Sequence, residues 1–238
     1  MAFAASVVAW FANPVHWTGS GGVPVRLLEH LEMSGVAVLV GLLVALPIGI
    51  GLGHWQRFGN VAINVSNVGR AVPSFAVLVI AFQVFGLGNY PAFVALTLLA
   101  IPPMLTNSYI GVRDVDAEVR DAARGMGMRE RRVLVDVELP LAMPLIMAGI
   151  RTAAVQVVAT ATLAALVAGG GLGRYIIDGF GQRDDAQVFA GGVLVAALAM
   201  AVELSLSGLE QVALPRGLRM KSLPTEAFVK QDLVAGRP

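Results

Sequence analysis

Few side chains in this sequence could perform covalent chemistry or bind a metal ion. The chain has no cysteine, which excludes disulfides, thiolate metal ligands and a thiol nucleophile. Its three histidines, at positions 16, 30 and 54, are separated along the chain, so we expect no shared metal site. The sequence Met220-Lys221-Ser222 lacks the glycine of a Gly-Lys-Ser/Thr phosphate-binding motif. We therefore predict that the chain is not an enzyme and binds no cofactor and no nucleic acid.

Three charged residues lie inside long apolar segments: Arg70, Arg151 and Glu203. An arginine at the centre of a bilayer costs about 2.5–3.5 kcal/mol on insertion scales. Arg70 and Arg151 could therefore line a transport pathway or gate, or they could simply extend to the nearer membrane surface. Glu203 is a candidate ion-pair partner for Arg151. Pro73 and Ser74, close to Arg70, are further candidate pathway residues.

The elements that must position these charges are membrane-spanning helices. The chain is 56% hydrophobic and 14% charged, with a mean hydropathy of +0.73, whereas soluble domains are about one-quarter charged. The apolar residues form runs of about twenty, the length of a helix that crosses a bilayer. Five spans are predicted, over 34–53, 60–84 with a break near Pro73, 91–112, 140–167 and 186–209. The predicted fold class is an all-α, polytopic membrane protein.

The distribution of basic residues predicts the orientation of these spans. Twelve lysines and arginines follow the first span, the third span or the fifth span, against three in the remaining connections. Because basic loops stay in the cytoplasm, five spans place the N-terminus outside and the C-terminus in the cytoplasm of a bacterial inner membrane. We divide the chain into an outer or interfacial segment over 1–33, a transmembrane domain over 34–210 with a cytoplasmic loop over 113–139, and a cytoplasmic tail over 211–238. Trp10 and Trp17 should contact lipid headgroups.

The charged loop over 113–139 has a pattern typical of two short helices. Asp116 is a suitable N-cap, and Glu118 favours the first turn of a helix. Ala122 and Ala123 would leave one side of that helix bare for close approach, and Gly125 should end it. A second helical stretch is predicted over 129–137, directly before the fourth span. A solvated loop that only satisfies the charge bias is the alternative interpretation.

The spacing within this loop resembles the EAA loop of binding-protein-dependent ABC importer permeases. Asp121-Ala122-Ala123 is followed after three residues by Gly127, and after nine more by Val137-Glu138-Leu139-Pro140. The family pattern has Glu-Ala-Ala, Gly and Ile-x-Leu-Pro at these intervals, so the departures are Asp121 and Val137. The resemblance implies a type I ABC importer permease fold whose loop docks into a separate cytoplasmic ATPase, which uses ATP and Mg. The coupling residues that it implies are Glu118, Asp121, Ala122, Ala123, Gly125, Gly127, Leu139 and Pro140.

Further stretches resemble the permeases for glycine betaine, carnitine and choline. They are 69–75 (GRAVPSF), 122–128 (AARGMGM), 138–144 (ELPLAMP), 147–153 (MAGIRTA) and 161–180. The resemblance implies an importer of osmoprotectant quaternary amines, with an extracytoplasmic substrate-binding protein and a second copy or a sister permease. A permease for an amino acid such as methionine is one alternative. An ATP-independent secondary transporter is another, although it would need intramembrane carboxylates for ion coupling, and Glu203 alone qualifies.

Four glycines, at positions 169, 170, 171 and 173, form the last conspicuous motif. They do not fit the phosphate-binding pattern G-x-G-x-x-G, because Arg174 occupies the third glycine position. We expect a flexible outer turn that contains Gly171 and Gly173 and precedes a short interfacial helix over 174–180. This turn could help to close an outer gate or contact the binding protein; a plain turn is the alternative.

Overall fold

The computed structural model describes residues 2–57 and 59–213, and the regular elements in those ranges are helical. The α-helices are α1 (Ala2–Ala12), α2 (Val23–Trp55), α3 (Gly59–Ala71), α4 (Ser74–Phe85), α5 (Asn89–Arg113), α6 (Ala117–Gly125), α7 (Glu130–Arg132), α8 (Leu139–Thr160), α9 (Gly173–Gln182) and α10 (Asp185–Ala213). A 3₁₀ turn over Pro14–Trp17 follows α1. A π-helical stretch over Val133–Glu138 joins α7 to α8, and a 3₁₀ stretch over Ala161–Val167 continues α8. Residues 211–213 of the predicted tail belong to α10, and the rest of that tail lies outside the described residues.

Four helical segments are long and apolar enough to cross a membrane: Val23–Trp55, Asn89–Arg113, Glu130–Val167 and Asp185–Val212. They contain four of the five predicted spans. We call the end of the bundle that carries residues 114–138 the loop end, and the end at which α2 begins the far end. Leu43, Met200 and Leu204 are each more than 60% exposed along these helices, which is the apolar surface that lipid would cover.

The predicted span over 60–84 consists of two short helices, α3 and α4, with the break at Val72 and Pro73. Gly59, at the start of α3, lies against the Tyr109 hydroxyl near the loop end of α5. The ring of Phe85, at the end of α4, meets the ring of Tyr90 at the far end of α5, with centroids 5.0 Å apart. The two helices therefore run together along α5, and the predicted break near Pro73 is confirmed. A fifth span formed by this pair stays a prediction.

Small residues allow α2 and α5 to pack closely. They recur every four residues on one face of α2: Gly41, Ala45, Gly49 and Gly53. A Cβ atom at Gly53 would lie 2.8 Å from the Tyr109 carbonyl oxygen and 2.8 Å from the Val112 Cβ. The close approach of the two backbones thus requires glycine here, as in other membrane helix pairs with small residues at four-residue spacing.

Helix α2 begins at Val23 rather than at the predicted residue 34. Gly22 is an extended N-cap and Pro24 lies in the first turn, a position that proline favours. The charged residues that follow are good helix formers, and Arg26 pairs with Glu29 at 2.9 Å. Apolarity marked the membrane-crossing part of the helix but not its polar first turns. The predicted division at residue 33 therefore falls inside α2.

The fourth predicted span does not start as a new helix at Pro140, contrary to our prediction. Helical structure runs without interruption from Glu130 to Val167. Pro140 has no N–H group, so the usual bond to the carbonyl four residues earlier is lost. The preceding stretch is π-helical, and the Leu139 N–H bonds to the Leu134 carbonyl five residues earlier. The predicted second helix of the loop is therefore the continuous start of this span.

The N-terminal helix α1 packs on α9 and α10. The rings of Phe3 and Phe189 meet edge to face with centroids 5.5 Å apart, and Trp10 meets Tyr175 at 5.3 Å. Trp10 is only 5% exposed, so the prediction that it contacts lipid headgroups is wrong. Its ring fills a gap between helices instead. Trp17 is 43% exposed, as a headgroup contact requires.

Candidate functional site

The loop predicted to carry the function is built around α6. Asp116 caps this helix, because its Oδ1 accepts a hydrogen bond from the Glu118 N–H at 2.8 Å. The helix ends at Gly125, as predicted. Gly127 has a φ of +82°, a backbone conformation that favours glycine, and its N–H bonds to the Arg124 carbonyl at 2.9 Å. The glycine of the motif thus turns the chain back toward the bundle.

An exposed apolar stripe lies on the outer side of α6. It consists of Val119 (42% exposed), Ala122 and Met126 (77% exposed). Their spacing of three and four residues places them on one helical face. Ala123, by contrast, is 1% exposed and faces the bundle, so it does not contribute to the bare surface that we predicted for both alanines. Val119 and Met126 were missed from the sequence, although the same periodicity could have identified them.

Ion pairs link the exposed charges of this loop to one another. Arg124 contacts Asp121 at 3.4 Å and donates to both carboxylate oxygens of Glu130, at 3.0 and 3.2 Å. The hydrogen bond to Glu130 raises the pKa of the Arg124 guanidinium above its usual range. Because these groups are exposed, each pair contributes about 0–1 kcal/mol. Arg129 and Arg132 line a depression of about 370 Å³ beside Met126, so the loop offers a cationic surface next to the apolar stripe.

A largely buried polar cluster lies underneath α6. Arg120 on α6 and Glu138 at the end of the π-helical stretch are buried, the His54 side chain is 9% exposed, and Gln56 at the end of α2 is exposed; we call these four residues the loop-end cluster. Glu138 is 0% exposed. Its Oε2 lies 2.5 Å from the His54 Nδ1, and its Oε1 lies 3.9 Å from an Arg120 Nη. In the orientation that satisfies its hydrogen bonds, the Gln56 amide oxygen accepts from both terminal nitrogens of Arg120.

No pattern in the sequence connects the members of this cluster. His54 and Glu138 are 84 residues apart, and a lone histidine after a predicted span carries no motif. A buried carboxylate is uncommon, since a charge is tolerated in an interior only with a partner. The cluster therefore joins three elements, α2, α6 and the start of α8, through one acidic side chain.

Arg151 lies between two carboxylates and links α8 to α10. Its Nε is 3.4 Å from Glu203 Oε1, and its Nη1 is 3.3 Å from Glu210 Oε2. The predicted pairing with Glu203 is confirmed, whereas Glu210 was missed. Glu210 lies seven residues after Glu203, on the same face of α10, which is the signal that could have found it. A role of this network in a pathway or gate stays a prediction.

The remaining predicted pathway residues lie on the broken pair of helices. Arg70 is in the last turn of α3, is exposed, and makes no ion pair with any residue that the structure describes. Pro73 is the N-cap of α4, and Ser74, half-buried, is its first residue. No contact among the described residues brings these three residues to the Arg151 network. Their role likewise stays a prediction.

The glycine-rich turn at the far end is held by hydrogen bonds from its backbone. The Gly170 N–H donates to Asn89 Oδ1 at 3.1 Å, on α5. The Gly171 N–H donates to Glu29 Oε2 at 2.8 Å, on α2. Both neighbouring helices bind the turn that we expected to be flexible, and its flexibility stays a prediction. The turn therefore ties together the far ends of α2, α5 and α8.

His30 adds a third attachment for this turn. It is fully buried; its Nδ1 accepts from the Leu172 N–H at 3.3 Å, and its Nε2 lies 2.9 Å from the Val158 carbonyl oxygen. Since a carbonyl only accepts, the ring is assigned as the neutral tautomer with the proton on Nε2. Both ring nitrogens are thus used for structure.

Helix α9 starts at Gly173 and extends to Gln182, slightly longer than the predicted 174–180. The Tyr175 hydroxyl donates to the Gly21 carbonyl at 2.7 Å, which attaches α9 to the segment before α2. Burial raises the pKa of the Tyr175 phenol, so it remains a hydrogen-bond donor at physiological pH. Hydrogen bonds therefore connect α9, the glycine-rich turn, α2 and α5 at the far end.

Comparisons with known proteins agree with this architecture. A family model described as "Binding-protein-dependent transport system inner membrane component" matches residues 37–219. The carnitine transport permease protein OpuCB of Listeria monocytogenes is 40% identical over 195 residues, which are 82% of this chain and 89% of the relative. The choline transport system permease protein OpuBB of Bacillus subtilis (strain 168) is 36% identical over 207 residues, 87% of this chain and 95% of the relative.

Among solved structures, the inward-facing MetNI methionine ABC transporter is similar, with a TM-score of 0.69 at 21% identity over 79% of this chain and 94% of that one. At that identity the likeness concerns the fold alone. The family match and the sequence relatives each cover most of this chain. The chain therefore belongs to the binding-protein-dependent transport system inner membrane components, as an inner-membrane ABC importer permease of the type I fold.

Proposed function

We propose that this chain is the translocating subunit of an ATP-driven importer for quaternary amines such as glycine betaine, carnitine and choline. In this proposal ATP and Mg are used by a separate cytoplasmic ATPase, and an extracytoplasmic binding protein delivers the substrate. The observation that carries the coupling role is the exposed apolar stripe on α6. The substrate class is supported by the carnitine and choline permeases, which are 40% and 36% identical to this chain over 195 and 207 aligned residues.

The α6 stripe suits a docking contact with the ATPase. Met126 and Val119 would leave apolar surface in water unless another protein covered them. Methionine adapts to irregular grooves, and Ala122 between them permits close approach. Arg129 and Arg132 offer positive charge beside the stripe for acidic groups on the groove rim. In this proposal the loop end is cytoplasmic, and closure of the ATPase pair moves α6.

The far end is then extracytoplasmic, where the binding protein docks. The bound turn at residues 169–173 connects α2, α5 and α8, and movement of these helices would open or close the outer side of the path. The Arg151 network joins α8 to α10 and would keep those two helices together while others rearrange. The path itself requires a second permease, either another copy of this chain or a sister subunit.

Selection of a quaternary ammonium group usually depends on an aromatic cage. Trp10 and Tyr175 pack against each other at the far end and are buried, so neither ring face is free for a substrate. We place the selective cage in the binding protein; among the ring pairs of the described residues, those with both rings exposed are Phe85 with Tyr90 and Phe3 with Phe189. An amino-acid permease is the second candidate, but the likeness to the methionine transporter extends to the fold only, at 21% identity.

The substrate class is tested by uptake in cells that lack their own osmoprotectant and methionine transporters. The permease is expressed with its ATPase and binding protein, and labelled glycine betaine, carnitine, choline and methionine are supplied in parallel. We expect uptake of at least one quaternary amine, and competition among the amines but not with methionine. Uptake of methionine alone would overturn the substrate class and leave the importer mechanism in place.

A further inference from the structure

We infer that Glu138 is a positioning residue that transmits the movement of α6 to α2 and α8 through the loop-end cluster. This inference rests on the proposed function, since it assumes that an ATPase moves α6. Glu138 touches no substrate and no ATPase in this proposal. It acts by holding three elements of the permease to one another.

The geometry places the Glu138 carboxylate where three elements converge. Its two oxygens point to different neighbours, Oε2 to His54 at 2.5 Å and Oε1 to Arg120 at 3.9 Å. Arg120 in turn donates to Gln56, so α6 is attached to the end of α2 directly and also through Glu138. A longer contact, 3.7 Å between His54 Nε2 and Glu130, adds a third connection through Arg124. Glu138 itself is joined through the backbone to Leu139, the first residue of α8. One side chain thus links the moving helix to two long helices.

Burial makes the contacts of Glu138 with His54 and Arg120 energetically difficult to break. Glu138 is 0% exposed, and the side chains of His54 and Arg120 are each 9% exposed. Separation of α6 from the start of α8 would leave the buried charges of Arg120 and Glu138 without each other, which is strongly unfavourable. The cluster members are therefore expected to move together rather than slide past one another.

The other attachments of α6 are less directional. The Arg124 pairs reach Asp121 and Glu130 in the same loop. Glu130 also lies 3.7 Å from His54 Nε2 on α2, but its side chain is 60% exposed, so this connection is weak. Ala123 on α6 and Val133 in the π-helical stretch are buried, but apolar contacts fix no particular orientation. The Gly127 turn and the π-helical stretch are places where backbone geometry can adjust. The loop-end cluster is thus the attachment that best fixes the direction of α6 relative to α2.

The test replaces Glu138 by glutamine, which keeps the shape and removes the charge. The matched control is Asp136→Asn, two residues earlier, because Asp136 is exposed and has no ion pair within the described ranges. Permease variants are reconstituted in proteoliposomes with the ATPase and the binding protein. Assembly of the complex, ATP hydrolysis and uptake are measured, and the readout is substrate transported per ATP hydrolysed.

For Glu138→Gln we expect an assembled complex that hydrolyses ATP within about twofold of the wild-type rate. Substrate transported per ATP should fall by about tenfold, which is a typical size for coupling between two sites. Asp136→Asn should change neither quantity by more than about twofold. An unchanged ratio in Glu138→Gln would overturn the inference. If wild-type uptake itself ignored ATP, the proposed function would fail instead, so the two failures are distinguishable.

Glu138→Gln leaves Arg120 buried without its counter-charge, and this variant could fail to assemble. The double variant Arg120→Gln/Glu138→Gln removes that unpaired charge and decides the case. An assembled double variant that hydrolyses ATP without transport supports the inference. An assembled and fully coupled double variant overturns it, and so does failure of both variants to assemble, which would assign the cluster to folding alone.

Discussion

Replacement of Gly53 by alanine should weaken the packing of α2 against α5. The added Cβ would lie 2.8 Å from the Tyr109 carbonyl oxygen, 2.8 Å from the Val112 Cβ and 3.2 Å from the Arg113 nitrogen. Carbon atoms normally pack at about 3.5–4.0 Å, so the two helices must separate by about 1 Å. Overpacking of this kind costs about 1–3 kcal/mol.

Gly51→Ala is the matched control on the same helix. Its Cβ would meet the Trp55 ring at 3.6 Å, which is an ordinary contact. Both variants gain about 1 kcal/mol of helix propensity, so the difference between them isolates the packing cost. At about 2–4 °C per kcal/mol, Gly53→Ala should unfold at a temperature about 2–12 °C below Gly51→Ala.

The assay is thermal unfolding of the detergent-solubilised permease, followed by circular dichroism at one protein and detergent concentration. Equal midpoints for the two variants would refute the close approach of α2 and α5 at Gly53. A higher midpoint for Gly53→Ala would refute it more strongly, because alanine would then gain from both propensity and packing.

Three further perturbations test other contacts. His30→Phe keeps a ring but leaves the two backbone partners of His30 without a hydrogen bond, at a cost in stability of about 1–3 kcal/mol each. Amide hydrogen exchange at residues 168–172 should therefore accelerate, and unchanged exchange would contradict these contacts. Arg151→Gln should lower the unfolding midpoint more than Glu203→Gln. The first variant leaves two carboxylates without a counter-charge, whereas the second leaves Arg151 paired with Glu210; equal midpoints would refute the three-residue network. Asp116→Ala should cost α6 about 1 kcal/mol and weaken ATPase binding in a pull-down, whereas Asp116→Ser should not.

The membrane helices were predictable because their apolar runs have one interpretation. Runs of about twenty apolar residues cross a bilayer as helices, and Pro73 marked the break between α3 and α4. The start of α2 was not predictable from apolarity, since Arg26 and Glu29 are good helix formers with a polar surface. Trp10 was misplaced because an aromatic residue near a membrane boundary is compatible with lipid or with protein packing, and only the position of α9 decides between them.

In the candidate site, too, the features that depend on neighbouring residues were predictable, whereas the contacts between distant parts of the chain were not. The cap at Asp116, the end of α6 at Gly125 and the turn at Gly127 follow from residues that are close in sequence. The contact between His54 and Glu138 depends on how α2 packs against the start of α8, which no local pattern encodes. Tertiary packing therefore supplied the part of the site that the motif did not contain.

In the proposed function, α6 couples this permease to a separate ATPase through its exposed face. ATP-dependent substrate uptake by the complete complex tests this coupling when the permease carries Ala122→Arg. The control is Ala12→Arg, which places the same bulky charge at an exposed alanine on α1. We expect Ala122→Arg to abolish uptake and ATPase binding while the permease remains in the membrane, and Ala12→Arg to transport normally. Normal ATP-dependent uptake by Ala122→Arg would contradict this coupling.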